Sequence, residues 1–309
     1  MKFIKDRILN LPHLFYILIW ASFTLPIQYD DKLNVDIQSS IAFIIVLIAM
    51  EVAYIVKLGN EKKAKATKDI FGFLYLVLLA WELFITRLSL LPYIFLPPPE
   101  NVFYVFVEDY KTILQGFGSS MFLLVIGLVT ALAAAIVLGT LIGFTPRLVN
   151  SIYPIVKAVS TVPPLIYTPY VVLIMPTFRM ASIFVIFLSV FWGTLMGSMN
   201  NTAFVEKRII NSAKVLNLST ASILFKIIIP FNFPRIINGL PINLATAIMT
   251  LTAAEMIGAN VGMGFYVRYS LNFANYAKAI AGIIFIGIVV TGLNAGVNLI
   301  KKKFVNWEY

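Results

Sequence analysis

Apolar residues along this chain come in long runs broken by short polar stretches. About twenty apolar residues wound as helix, at about 1.5 Å per residue, cross a hydrocarbon core about 30 Å thick. Eight runs fit that length: Ile8–Ile27, Ile37–Val56, Ile70–Leu88, Ser119–Gly143, Ser151–Met175, Met180–Met199, Ile236–Ile257 and Ala277–Ile300. The pattern predicts an all-α, polytopic membrane protein with about eight transmembrane helices.

One stretch between two of these runs, "KVLNLSTASILFKIIIPFNFPRI" (Lys214–Ile236), mixes Asn, Ser, Thr, Lys and Arg with its apolar residues and holds two prolines. Ser219 or Thr220 can cap a helix, after which Ile223, Leu224, Ile227 and Ile228 fall on one face while Ser222 and Lys226 lie off it. Pro230 lacks a backbone donor and is expected to stop that helix, and Pro234 to start the next span. Periodicity allows two readings: an interfacial helix half-sunk among headgroups, or a short rigid docking surface across the mouth of the bundle.

Composition agrees with a membrane class. Of 309 residues, 60% are hydrophobic and only 12% charged, with a mean hydropathy of +0.90. The formal charge of +10 sits in short segments between the runs, where the positive-inside rule accounts for it, so no nucleic-acid partner is expected. Lys2, Lys5 and Arg7 precede the first run, Asp30, Asp31 and Asp36 follow it, and Lys57, Lys62, Lys63, Lys65 and Lys68 follow the second. Continuing the alternation places both termini, Arg147, the Lys207–Arg235 segment and Lys301–Lys303 in the cytoplasm, and the loop holding Pro97–Pro99, Glu100, Glu108 and Asp109 outside. The first run lacks a small-residue cleavage site and reads as a retained signal anchor. The charged linker "KLGNEKKAKATKD" (Lys57–Asp69) divides a two-helix front, residues 1–68, from a body, residues 69–309.

Candidate chemistry is sparse. The chain has no cysteine, and no phosphate loop, HExxH, GxSxG or spaced His and Asp cluster for a metal. No enzyme activity and no cofactor are expected of this chain; any uphill movement draws its energy from another. Glu51, Glu82, Lys157 and Glu255 lie within runs, where a charge costs at least about 2.5 kcal/mol and marks a functional candidate. Glu51 and Glu82 can equally pair with a cation, snorkel or be protonated, and the lone His13 has no second metal ligand near it.

"NSAKVLNLSTASILFKIIIP" (Asn211–Pro230) resembles the EAA signature of permeases of binding-protein-dependent ABC importers, E-A-A-x3-G-x9-I-x-L-P. Ala213, Ile227 and Pro230 match at the family spacing; Asn211 replaces Glu, Ser212 the first Ala, Asn217 the Gly and Ile229 the Leu. Asn tolerates a left-handed turn better than most residues, so the Gly replacement is mild. "FLPPPENVFYVF" (Phe95–Phe106) and "TAAEMIGANVGMGFYV" (Thr252–Val267) are similar to segments of the nitrate, sulfonate, taurine and bicarbonate branch, and Trp307 after a basic stretch fits it. The resemblance covers roughly Ile70 to the C-terminus.

The resemblance implies a six-helix type I permease core with two extra N-terminal helices, in the bacterial cytoplasmic membrane and in contact with its lipid. It implies a second permease chain, in a homodimer, and a cytoplasmic ABC ATPase that binds the ATP and Mg. It also implies an extracytoplasmic solute-binding protein, and a small polar or anionic solute of nitrate, sulfonate, taurine or thiamine-precursor type. Asn211, Ala213, Asn217, Leu218, Ile223, Leu224, Ile227 and Pro230 then form the ATPase-coupling segment. Pro163 and Pro164 interrupt the fifth run, as pathway lining or as a packing kink, and Glu255 with Gly258 shapes an outer gate or simply ends a helix. The run Thr130–Gly143 reads as a close helix-packing face. Two other classes stay open: a non-transporting membrane scaffold or regulatory subunit, and a secondary carrier.

Overall fold

The computed structural model describes residues 10–27, 35–59, 64–90, 92 and 94–304, and every regular element among them is helical. In chain order these are α1 (Leu11–Ser22), α2 (Ile37–Leu58), α3 (Ala64–Trp81, prolonged by a π-helical turn Glu82–Arg87), α4 (Pro99–Glu108) and α5 (Tyr110–Gly143). They continue as α6 (Pro146–Ser160), α7 (Pro164–Ile174), α8 (Phe178–Ala203), α9 (Lys207–Val215) and α10 (Thr220–Ile223, followed by a π-turn Leu224–Ile228). The last are α11 (Ile229–Gly258), α12 (Met263–Asn272) and α13 (Tyr276–Phe304). Six helical runs are long and apolar enough to cross a membrane, seven with the bent pair α6 and α7. The chain divides into two compact units, residues 1–113 with 269–283, and residues 114–268 with 284–309.

Three expected spans differ from the structure for identifiable reasons. The first run gives a helix of only 12 residues, about 18 Å long. Asn10 starts it by accepting from the His13 N–H at 3.2 Å, and hydroxyls of Ser22 and Thr24 end it on the carbonyls of Ile19 and Ala21; residues 1–9 of that run lie outside the described residues. The fifth run is two helices meeting at 87°. Pro164 forces its predecessor Pro163 into extended backbone (φ −60°, ψ 129°), and no helix passes through such a residue. The seventh is preceded by no stop: Pro230 sits in the first turn of α11, where an N–H has no intrahelical partner, and Pro234 and Pro241 lie within that helix. The π-turn before it, closed by the Ile229 N–H on Leu224 O, lets helix continue through Pro230.

In the first unit α1 packs on α3 and α2 on α4. Ile19, Phe43, Leu47, Tyr54, Phe71, Tyr75 and Leu79 form the apolar core, so the packing crosses the boundary at residue 68 read from the sequence. Two polar clasps pin it. His13 Nε2 lies 2.8 Å from Glu51 Oε1, and the Tyr75 hydroxyl donates to Glu51 Oε2 at 2.9 Å. The π-turn brings Arg87 back over Glu82, Nε to Oε1 at 2.7 Å; the same guanidinium donates to Leu25 O at 2.9 Å and faces the Phe23 ring at 5.2 Å.

Glu100, wholly buried on α4, completes that second clasp, with Oε1 3.7 Å from Arg87 and Oε2 accepting from Thr86. Burial and the neighbouring Glu82 push its carboxyl up, to about 8, against the opposing pull of a backbone hydrogen bond and Arg87. A folded-state value above the unfolded one means the native chain binds the extra proton. Its stabilisation is complete below about pH 4.5 and is lost as the pH rises through 8, at about 1.4 kcal/mol per pKa unit. The melting temperature in detergent should therefore fall between pH 5 and 9, and Glu100→Gln should flatten the slope. An unchanged slope in that variant would show that another group sets it.

The second unit is built on α8, which packs against α6, α7 and α11. The packing expected of Thr130–Gly143 is there: a Cβ on Gly139 or Gly143 would come within 2.6 Å of Ser198 or of the Met199 carbonyl on α8. Leu123, Ala131, Ala135, Val190, Leu195, Met199, Leu244 and Leu251 fill the space between these helices.

Candidate functional site

The mixed-polarity segment folds as a helical hairpin whose tip is open and whose base is buried. α9 ends in a Schellman turn: the Leu218 N–H reaches Ala213 O at 3.2 Å and the Asn217 N–H reaches Lys214 O at 2.9 Å. Asn217 takes the left-handed conformation this closure requires, φ 54°. Ser219 then caps α10 by accepting from the Ser222 N–H at 3.2 Å.

The apolar face read from the sequence points inward. Ile223 and Leu224 are 2% and 6% exposed, and they join Ala213, Val205 and Ile228 in one cluster, with Ile209, Ile210, Ile227 and Phe144 packed against it. As docking knobs these two are a correction: they hold the hairpin to its own chain. The residues left facing outward are Val215, Leu216 and Leu218, at 82%, 72% and 41% exposure, with Asn211 and Asn217 also exposed beside them. Periodicity could not have found Val215 and Leu216, because they flank a turn rather than sharing a helical face. Pro230 is exposed and acts as the first-turn residue of α11.

Glu255 is wholly buried and fully engaged. Its Oε1 accepts from Ser120 Oγ at 2.5 Å and its Oε2 from the Gly264 N–H at 2.7 Å, while Ser120 Oγ accepts from the Met263 N–H at 2.9 Å. The carboxylate thus fastens the turn after α11 to α5. Gly262, φ +149°, lies so close to the Glu255 carboxyl that a Cβ would collide with it. Gly258 is a packing glycine, where a Cβ would fall 2.8 Å from Val172. Arg268 closes the same corner by donating to the carbonyls of Met256, Ile257 and Ala259 at 2.8–2.9 Å, satisfying the end of α11. Sequence reasoning missed Ser120 and Arg268; nothing in their spacing relates them to Glu255. Pro163 and Pro164 stand at the bend between α6 and α7. Lys157 is exposed on α6. No group of three or more His, Asp or Glu among the described residues could hold a metal ion.

Comparison with known proteins gives a consistent answer. Residues 131–306 match the family described as the binding-protein-dependent transport system inner membrane component. The taurine transport system permease protein TauC of Escherichia coli (strain K12) is 30% identical over 77% of this chain and 88% of its own length. The nitrate import permease protein NrtB of Leptolyngbya laminosa is 32% identical over 58% of this chain and 64% of its own. Among solved structures, a chain of the MetNI methionine ABC transporter, in inward-facing conformations, superposes with a TM-score of 0.56 at 15% identity, over 64% of this chain and 98% of that one, a likeness of fold alone. The chain belongs to the family of binding-protein-dependent transport system inner membrane components, and it is the transmembrane permease subunit of an ABC importer.

Proposed function

We propose that this permease pairs with a second copy of itself and passes a small polar or anionic solute across the cytoplasmic membrane, driven by a separate ATPase that docks on the α9–α10 hairpin. The observation that carries this reading is the hairpin itself: three apolar side chains held outward at a capped turn, over a base anchored in the chain's own core. An ATPase holding that tip moves α11 directly, because helix runs unbroken from Thr220 to Gly258. A lever of this kind transmits a two-state closure to the membrane. ATP and Mg belong to that partner, and an extracytoplasmic binding protein delivers the solute. Taurine and nitrate, named for the relatives, set the range of solutes to test first.

The reading requires the hairpin and both termini to be cytoplasmic. Since the chain has no cysteine, single substitutions report sidedness cleanly. Thr220→Cys should resist a membrane-impermeant thiol reagent in intact cells and react after permeabilisation, whereas Glu108→Cys, whose native side chain is 52% exposed, should react at once. Glu100 is unsuitable as the outside probe because it is buried. Labelling of Thr220→Cys from outside would remove the docking surface from the ATPase's reach. Function is tested by uptake of labelled taurine and nitrate into vesicles holding the permease, ATPase and binding protein, with and without ATP; ATP-independent uptake would contradict the reading.

A further inference from the structure

Charge is divided sharply along this chain. Thirteen of its 24 lysines and arginines lie beyond residue 113, but only three of its 14 carboxylates, Glu206, Glu255 and Glu308, do so. The whole formal charge of +10 therefore belongs to residues 114–309, and the first 113 residues are neutral.

Within that basic stretch a cavity of about 250 Å³ opens between α8 and α11, at the end of α8 that leads into the coupling hairpin. Its polar lining includes Arg235, Asn201, Asn243 and Thr194, with no carboxylate. Arg235 forms no ion pair among the described residues, and Thr194 Oγ1 is buried without a hydrogen-bond partner. Three lining residues are glycines, Gly193, Gly197 and Gly239, and a Cβ built on any of them meets nothing within 4 Å. Gly127, Gly139 and Gly143 differ, since a Cβ there would collide with α8. Packing inside the chain thus explains these three glycines of α5 and leaves those of the cavity unexplained. What the latter do is keep the space open.

We propose that this cavity is a binding subsite for a small oxyanion, of the carboxylate, sulfonate or nitrate class, held by Arg235 with Asn201, Asn243 and Thr194 as further donors. The proposal rests on the permease reading and names the solute class and a place where it pauses. A guanidinium offers two parallel N–H groups to two oxygens of such an anion, and amide and hydroxyl donors complete its coordination. A cation entering the same space meets a like charge and no carboxylate. The volume is that of about eight waters, room for a small anion with part of its hydration shell. An arginine serving only as a headgroup anchor at the membrane edge would need neither the three glycines nor the amides around it.

The test uses the full-length, naturally cysteine-free chain in nanodiscs, with Gly197→Cys placed in the cavity. Modification rates are measured with two methanethiosulfonates, one bearing a sulfonate and one a trimethylammonium group. Adding Arg235→Gln should lower the sulfonate-to-ammonium rate ratio by about threefold or more, as removal of one charge within a Debye length predicts, while Arg235→Lys should keep it. At constant ionic strength, millimolar nitrate or methanesulfonate should slow modification when Arg235 is present and not in Arg235→Gln, and glycerol should have no effect. A ratio insensitive to Arg235→Gln overturns the proposal, as does equal protection by glycerol. So does a cysteine unreactive toward both reagents, which would mean that a second copy of the chain closes this face. None of these readouts needs ATP, so a failure of ATP-driven uptake with the labelling pattern intact counts against the importer reading and not against the site.

Discussion

Replacing Leu216 with Asp should release the ATPase from an otherwise intact permease, and replacing Ile223 with Asp should remove the permease itself. The two positions are seven residues apart in one hairpin and are both aliphatic, yet Leu216 is 72% exposed and Ile223 only 2%. An aspartate at Leu216 stays solvated in the free chain and costs it almost nothing. On docking, the same carboxylate enters an apolar groove unpaired, at several kcal/mol, and each 1.4 kcal/mol is tenfold in affinity. At least a hundredfold weaker association is expected, with normal membrane levels. At Ile223 the charge is imposed on the cluster with Ala213 and Ile228 in the chain's own core, so folded protein should be lost. Membrane abundance, co-elution with the ATPase in nanodiscs and stimulated hydrolysis separate these outcomes. Full co-elution and stimulation in both Leu216→Asp and Val215→Asp would show that the ATPase does not use this tip.

That inversion of inside and outside marks the limit of what the sequence alone conveys. Run length was sufficient for five of the eight expected spans, and single residues were sufficient where local chemistry decides the backbone. Asn217 was readable as a left-handed turn and takes φ 54°; Ser219 was readable as a cap and accepts from Ser222; Pro163–Pro164 was readable as an interruption and bends the chain by 87°. Each of these depends on neighbours within a few residues. Which way a helical face points does not. Outside the hydrocarbon an apolar helical face can cover the chain's own core, a partner or the headgroups, and periodicity is the same for all three, so the face of Ile223 and Leu224 carried no direction. Large apolar residues such as Leu173, 81% exposed, and Leu123, 2%, cannot be told apart by type.

The partners of the intramembrane carboxylates were equally hidden. Glu51 and Glu82 stood out as intramembrane carboxylates, and pairing was one reading of them. The partners, His13 on α1 and Arg87 across a π-turn, follow from packing and from a local change of helical period. The cavity at Arg235 was hidden for the converse reason. Arg235 looked like the last basic residue before a span, and only the continuous helix through Pro230 and Pro234 places it in a wall shared with α8. The two clasps and this cavity show charged groups in a largely apolar chain put to two uses, holding helices together or leaving one charge free for a ligand.

Gly262→Ala should be among the most damaging single-methyl additions in the chain, and its cost should depend on Glu255. Gly262 adopts φ +149°, a conformation nearly confined to glycine, and a Cβ there would overlap the Glu255 carboxyl. The carboxylate cannot retreat, because Ser120 and the Gly264 N–H hold its two oxygens and no part of it reaches solvent. Backbone strain and the displaced hydrogen bonds together should cost about 3 kcal/mol or more. Glu255→Ala alone should also be costly, leaving the Gly264 N–H and the Ser120 hydroxyl without their acceptor, at roughly 1–3 kcal/mol each. In the double variant the collision disappears, leaving the strain at residue 262 and the lost acceptor. The two costs should therefore sum to clearly more than the double variant shows, by at least about 1 kcal/mol in a denaturant or thermal series. Strict additivity would mean that Gly262 is required by its backbone angle alone and that the carboxylate does not brace the turn.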